Sequence, residues 1–342
     1  MSTILDVEKK SGVSKSTISR YLNGKPVTPE NRLKIECAIK ALDYRLNPMA
    51  SGLKSNKTNV VGIVLPDITD PFFPPIVKQL ERKLREHGYR TLFNNYDNDC
   101  ELEKQQVEVL MNQRVDGMII ATSAASGEHI NQCIRRGIPT VMLDRLLDDV
   151  TCDSVTIDNY QATFDALSLA IRKGHRKIAI ICGQENVYSD IVRFKAYRDC
   201  LTSHGIELQP QYMIRADLVE HDAKRQFMCL LNLEEPPTLI FCSNVYLAAG
   251  AMEARLEYQI DIPGEVSVLT FDRLSAFPYY NFLHSVQPEF SSICQPLDLI
   301  GAKAAQLLLR RIEEGDNAYP PVHIELRTSL FMTESIRQLN KK

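Results

Sequence analysis

Within VSKSTISRYLNG, Lys15, Ser16, Thr17, Ser19 and Arg20 crowd two cations and three hydroxyls into six residues. Ser14 just before them is a good helix N-cap, since its side-chain oxygen can accept one of the unpaired N–H groups of a first turn. A helix started there turns Ile18, Tyr21 and Leu22 to one side and leaves the donors on its N-terminal and outer faces. Asn23-Gly24 then ends it with residues that tolerate left-handed backbone. Donors of these kinds on an exposed helix suit the phosphates and base edges of a DNA major groove. The bland alternative is an ordinary helical hairpin.

The neighbouring residues supply a frame for such a helix. ILDVEKKS (residues 4–11) spaces Ile4 and Val7 as one apolar stripe, and Gly12 interrupts it with the conformational freedom that a tight turn needs. A third helix is expected over residues 29–42, with Leu33, Ile35, Ile39 and Leu42 inward. Charge follows the same division. Residues 1–57 hold 11 Lys and Arg against 5 Asp and Glu, a net +6, while the rest of the 342-residue chain carries −9. A basic segment on an acidic body is the asymmetry expected when the segment meets phosphate and the body does not.

From Val60 the rhythm changes. Apolar runs at 60–66, 89–95, 117–122 and 139–144, and again at 177–182, 238–243 and 266–271, alternate with amphipathic stretches such as 159–173, 189–204 and 245–257. Continuous apolar strands separated by helices predict parallel sheets covered on both faces. The two series, split near residue 157, predict two doubly wound lobes, with a ligand cleft beyond the C-terminal ends of their strands. Between the two regions, LNPMASGLKSNKT (46–58) has a helix start at Asn47-Pro48 but a weakening Gly52. Two turns of helix cannot stand alone in water, so the segment is expected to order only against a partner.

Other classes find little support. The nine cysteines form no C-x-x-C and no Cys/His zinc spacing, which fits scattered thiols in a reducing compartment and no metal site. No apolar run approaches the roughly 18 residues of a membrane span, and the N-terminus has no secretory pattern. An exported sugar-binding protein of similar two-lobed build is disfavoured on that ground and by the basic helical start. An enzyme is disfavoured because no G-x-G-x-x-G, phosphate-loop or G-x-S-x-G motif is present. His175, in GHRK at a helix end, has no evident catalytic partner and is expected to be structural. No cofactor and no membrane association are expected, and the location is expected to be cytoplasmic.

LDVEKKSGVSKSTISRYLNG, followed by ALDYRLNPMASGLKSNKTNVVGIVLPDITDPFFPPIV, resembles the lactose/galactose-repressor (LacI/GalR) family of transcription regulators. The similarity continues in RVDG (114–117), VMLDR (141–145), VTIDN (155–159), KGHRKIAIICG (173–183), FCSNVYLAAGAM (241–252), VSVLTFD (266–272) and SICQPLDLIG (292–301), so it covers nearly the whole chain. The resemblance implies a helix-turn-helix headpiece at 1–46, a hinge at 47–58 and a periplasmic-binding-protein-like α/β core at 59–342. The N-lobe is expected at about 59–157 plus 291–320, and the C-lobe at about 158–290 plus 321–335. A homodimer is implied, reading a pseudo-palindromic double-stranded operator under control of a small effector: a sugar, sugar acid or sugar phosphate.

Carried over by position, Ser14, Lys15, Ser16, Thr17, Ser19, Arg20 and Asn23 fall in the recognition-helix region. Asn47, Ala50 and Leu53 fall in the hinge, with Leu53 as the minor-groove wedge. Phe72 and Phe73 match an apolar wall of the effector site, and Asp144, Arg145, Arg193, Asn244, Asp272 and Arg273 match or neighbour effector-contacting positions. The three arginines together lean towards an anionic effector. Several residues depart from the family pattern. Glu8 and Ser11 replace small residues packed between the first two helices, Leu46 replaces a proline, Val245 a common aspartate, and Arg273 an acidic or small residue. Leu218 stands where some sugar-binding members have an aromatic, and the stretch 271–290 is longer than usual. Glu8 is expected either to turn its carboxylate outward or to loosen the helix packing.

Overall fold

The computed structural model describes residues 2–22, 24–44, 57–183, 187–216, 222–315 and 319–339. Asn23, the hinge residues Asn47, Ala50 and Leu53, and Leu46 and Leu218 lie outside the described residues. The chain forms two compact units, residues 1–59 and 60–342.

The first unit holds α1 (Ile4–Ser11), α2 (Lys15–Leu22) and α3 (Pro29–Leu42). Thr3 and Asp6 form a reciprocal capping box at the start of α1, satisfying two N–H groups that the first turn leaves unpaired. Gly12 ends α1 at φ 67°, the left-handed region where a Cβ would be strained. Val7, Val13, Ile18, Ile35 and Ala38 make the small buried core, with Ile4, Tyr21, Leu22, Ile39 and Leu42 packed at its margin. Leu33 corrects the expected inward row, being 64% exposed. It lies two residues before Ile35, about 200° around the helix, so both cannot face the same core.

The second unit contains two six-stranded sheets. The first lobe runs β1 (Val60–Leu65), α4 (Phe73–Glu86), β2 (Arg90–Asn95), α5 (Cys100–Asn112), β3 (Gly117–Ile120), α6 (Glu128–Arg135), β4 (Thr140–Leu143) and β5 (Asp153–Ile157). The second runs α7 (Asn159–Arg172), β6 (Ile178–Cys182), α8 (Tyr188–Ser203), β7 (Met213–Arg215), α9 (Asp222–Leu231), β8 (Leu239–Cys242), α10 (Val245–Tyr258), β9 (Ser267–Phe271) and β10 (Ser291–Cys294). The chain then returns through α11 (Leu297–Glu314), β11 (His323–Leu326) and β12 (Ser329–Phe331).

The sheet orders are β11-β5-β4-β3-β1-β2 and β12-β10-β9-β8-β6-β7. Every pairing is parallel except β12 against β10. The inner strands β3, β4, β5, β6, β8 and β9 are buried along their whole length, as strands covered on both faces must be.

The lobe crossings differ from those expected. Strand β10 lies beside β9 in the second sheet, with Ser291 opposite Leu269, so the second crossing follows Cys294. Helix α11 packs on α4 in the first lobe, where the Cβ of any other residue at Gly301 would collide with the Ile76 carbonyl. Strand β11 pairs with β5 in the first sheet, so the third crossing follows Leu326 instead of residue 320. The Asp153 carboxylate fixes this return: it is bidentate with Arg311 of α11 at 2.7 Å and accepts the Val322 N–H. Asp158, at the first crossing, donates its N–H to the Leu326 carbonyl and accepts the Thr328 N–H at 2.9 Å, binding two crossings together.

Candidate functional site

Two surfaces carry the polar residues singled out by the sequence. On α2, Ser14, Lys15, Ser16 and Arg20 are exposed, while Thr17 and Ser19 are half-buried. Ile18 on the opposite side is fully buried, so the core fixes which face of α2 looks outward. The Ser14 hydroxyl is 3.0 Å from those of Ser16 and Thr17, grouping three hydroxyls around the first turn. Glu8 corrects the expectation of a carboxylate turned away or a loosened packing. It accepts the Lys15 N–H at 2.7 Å and so caps α2 from α1. Helix N-termini carry unpaired N–H groups and partial positive charge, and a carboxylate satisfies both. Tyr21, at the far end of α2, donates its hydroxyl to Glu36 on α3 at 2.8 Å.

The second surface is a cleft of about 630 Å³ in the 60–342 unit, between the two lobes. Phe72 and Phe73 line it and meet edge to face, with centroids 5.0 Å apart. Asp144 enters from the end of β4 and Asp272 from the end of β9, the strand ends at which doubly wound sheets place ligands. Arg145, Arg193 and Asn244 also reach the wall. Of the effector-site positions expected from the sequence, only Arg273 lies away from it.

The arginines in the cleft are already engaged. Arg193 is 4% exposed, donates Nε–H to Asn159 at 2.8 Å and Nη1–H to the Ser243 carbonyl at 2.7 Å, and lies 3.4 Å from the centroid of the Phe271 ring. Arg145 donates from Nη1 to the Thr122 carbonyl and to the Ser123 hydroxyl. Asn244 combines two tasks: its Oδ1 accepts the Leu247 N–H and caps α10, while the residue lines the cleft.

Arg273 instead turns to the rim. Its guanidinium bonds Glu289 through two 3.1 Å contacts and lies 3.8 Å from the centroid of the Phe331 ring. Burial alone would raise the Glu289 carboxyl, but Arg273, Ser275 and His284 hold it down to about 2. The long 271–290 stretch thus folds back as short 3-10 turns, Leu274–Ala276 and Pro278–Ser285, clamped through Glu289.

Sequence reasoning missed an acidic group. Asp67 and Asp70 follow β1, Asp190 sits three residues before Arg193 on α8, and all three line the cleft with Asp144 and Asp272. Tyr246 and Gln295 join them. The signal for the first pair was present in LPDITDPFF, since both aspartates follow a strand end. Gln295 was out of reach because β10, which positions it, is only four residues long.

The carboxyls act on one another. Burial, and then the charges of Asp272, Asp144 and Asp67, push Asp70 up to about 7 against the pull of the Phe72 N–H. Burial pushes Asp272 up to about 6, opposed by Arg193 and by the Gln295 amide at 2.8 Å. Asp144 is raised by burial too, although Arg145 and Arg193 oppose the shift. Asp190 is committed locally: its Oδ1 accepts the Ser243 hydroxyl at 2.8 Å and the Gly183 N–H at 3.2 Å.

His175 is fully buried between the Thr238 hydroxyl and the Arg337 carbonyl, and burial lowers it to about 4. Among the described residues, no three His, Cys, Asp or Glu side chains are placed to hold one metal ion, and no helix is long and apolar enough to cross a membrane.

Residues 3–47 match the model of bacterial regulatory proteins of the lacI family, and residues 58–329 that of periplasmic binding proteins and the sugar binding domain of the LacI family. The chain is 31% identical over 312 residues to catabolite control protein A of Priestia megaterium, covering 90% of this chain and 92% of that protein. It is 30% identical over 312 residues to the HTH-type transcriptional repressor CytR of Escherichia coli K12, covering 91% and 90%. Its fold matches a lac repressor dimer solved with operator and the anti-inducer ONPF, with a TM-score of 0.83 at 24% identity, covering 98% of this chain and 99% of that one. By its helical N-terminal unit, its two-lobed core and these similarities along its length, the chain belongs to the LacI family of bacterial regulatory proteins.

Proposed function

We propose that the protein is an operator-binding repressor of carbohydrate-utilisation genes, whose affinity for DNA is set by a small effector in the interlobe cleft. The observation that carries this reading is the pairing, in one chain, of an outward-facing α2 with a ligand-sized cleft lined from strand ends of both lobes. Lys15, Ser16 and Arg20 are assigned to phosphates and base edges, with Ser14, Thr17, Ser19 and Asn23 flanking them. The domain division at residues 46 and 58 and the hinge roles of Asn47, Ala50 and Leu53 belong to the same proposal.

A homodimer supplies two copies of α2 to a pseudo-palindromic site, as the lac repressor dimer is described with its operator. The relative CytR is a transcriptional repressor, and a non-catalytic role in the cytoplasm belongs to the same reading. Effector bound between Asp144 on one lobe and Asp272 on the other biases the angle between the lobes, and through it the population able to seat both headpieces. Phe72, Phe73, Arg145, Arg193 and Asn244 shape the same site.

The test is to select the chain's own DNA sites from a random pool, then screen carbohydrates for thermal stabilisation. A ligand at 100 times its Kd adds roughly 2.7 kcal/mol to the native state. A stabilising ligand that changes affinity for a selected palindrome supports the reading. Recovery of no specific DNA would remove the headpiece assignment, whatever binds in the cleft.

A further inference from the structure

Resting on that reading, we infer that the cleft is built for a carbohydrate bearing a protonated amine, and not for a neutral or phosphorylated sugar. Five carboxyl groups line it, Asp67, Asp70, Asp144, Asp190 and Asp272, against two guanidiniums, those of Arg145 and Arg193. Among the described residues, no lysine or histidine shares the wall. Arg273, the third cation that an anionic ligand would need, is held at the rim by Glu289.

The unsatisfied atoms point the same way. Asp144 has a side chain only 10% exposed and accepts no hydrogen bond among the described residues; its nearest cation, Arg145, stands 3.8 Å away. Asp272 is 4% exposed and its carboxyl receives, among the described residues, a single bond, from the Gln295 amide, whose own Oε1 is buried without a donor. Among the described residues, the one buried donor left unpaired at this wall is Arg145 Nε. The cleft therefore offers more acceptors than donors, and a buried acceptor without a partner is costly.

An ammonium group brings three donors and no acceptor, and its charge offsets the repulsion among Asp70, Asp144 and Asp272. A phosphate brings the reverse, acceptors and negative charge, into an acidic wall. A neutral sugar brings donors and acceptors together and leaves the excess charge in place. Phe72, Phe73 and Tyr246 complete the cleft with aromatic surface suited to a sugar ring and to a cation above it. A volume of about 630 Å³ accommodates a mono- or disaccharide.

The experiment is isothermal titration of the full-length protein at pH 7 with matched sets. Each set holds a hexosamine or its disaccharide, the N-acetyl derivative, the parent sugar and the 6-phosphate, and the same ligands are added to the operator complex. The inference expects one amine to bind at least about tenfold tighter than its own N-acetyl and parent forms. Asp272→Asn is expected to reduce that preference to within about threefold, and Asp70→Asn to do the same if the first variant fails to fold. A parent, N-acetylated or phosphorylated sugar that binds as tightly as the amine and shifts operator affinity overturns the amine inference and leaves the proposed function standing. An amine preference undiminished in both variants also overturns it. Absence of binding by every carbohydrate removes the carbohydrate part of the proposed function along with it.

Discussion

Asp144 and Asp272 occupy equivalent places in the two lobes. Each is the first residue after an inner strand, each has a left-handed backbone, at φ 62° and 70°, and each donates its N–H to the neighbouring strand, to the Val155 and Ile293 carbonyls at 3.0 and 2.9 Å. Such a conformation costs a non-glycine residue of order 1 kcal/mol, and aspartate is among the few that tolerate it. The turn aims both carboxyls into one cleft, where the charge of Asp144 contributes to raising Asp272. Two strand ends related by the internal repeat of the fold thus converge on a single ligand volume.

That relationship gives the first prediction. Asp272→Ala is expected to leave operator affinity within about twofold of wild type while abolishing the response to effector, read by fluorescence anisotropy of a labelled operator. A variant that still responds like wild type would sink the placement of the site.

Arg20→Ala tests the other surface. Arg20 is exposed on α2 and outside the core of its unit, so its loss removes donors without removing packing. Specific operator binding is expected to fall at least a hundredfold, with effector affinity measured by titration unchanged. Retained sequence preference would refute the assignment of α2 to the major groove.

Glu8→Ala removes the carboxylate that accepts the Lys15 N–H. Loss of a cap costs about 1 kcal/mol, so the headpiece should unfold earlier in denaturant, followed by amide exchange of Val7 and Ile18. The alanine also restores the small residue usual in the resembled family. A more protected core in the variant would show that packing outweighs the cap.

One buried and one half-buried group set opposite pH trends. His175 has a folded pKa of about 4 against 6.5 unfolded, so the unfolded chain binds a proton that the folded chain refuses. Its contribution is intact above about pH 6.5 and is lost as pH falls towards 4, on the order of 3 kcal/mol. Asp70 is raised to about 7, so here the folded state holds the extra proton, and stability declines as pH rises from 3.8 to 7. Asp70→Asn should therefore melt higher than wild type at pH 8 and no higher at pH 4. Equal melting temperatures at both would show that neither its desolvation nor the charges of Asp272, Asp144 and Asp67 raise its carboxyl.

Much of this architecture was legible in the residues. Ile18 against Lys15 and Arg20 set the outward face of α2, and the apolar runs set seven of the strands, because period and cap chemistry act locally. What escaped depends on pairings distant in sequence. Strands β10, β11 and β12 are three or four residues long and are defined by their partners, β9 for β10, β5 for β11 and β10 for β12, and by the Asp153–Arg311 pair. The same distance hid the charge of the cleft. Arg273 reads as a site cation until Glu289, sixteen residues on, is seen to hold it. Asp67 and Asp70 carry no assignable role in the sequence until they are seen lining the same wall as Asp272.

The central claim is that one ligand volume controls a DNA-binding unit elsewhere in the chain. It is tested most directly by measuring operator affinity for wild type and Asp272→Ala with and without a saturating cleft ligand. Effector and operator must alter each other's affinity by the same factor if they are coupled. The account predicts at least a tenfold change in wild type, the same factor when ligand affinity is measured on the operator complex, and no change in the variant. A wild-type operator affinity unmoved by saturating ligand would contradict it.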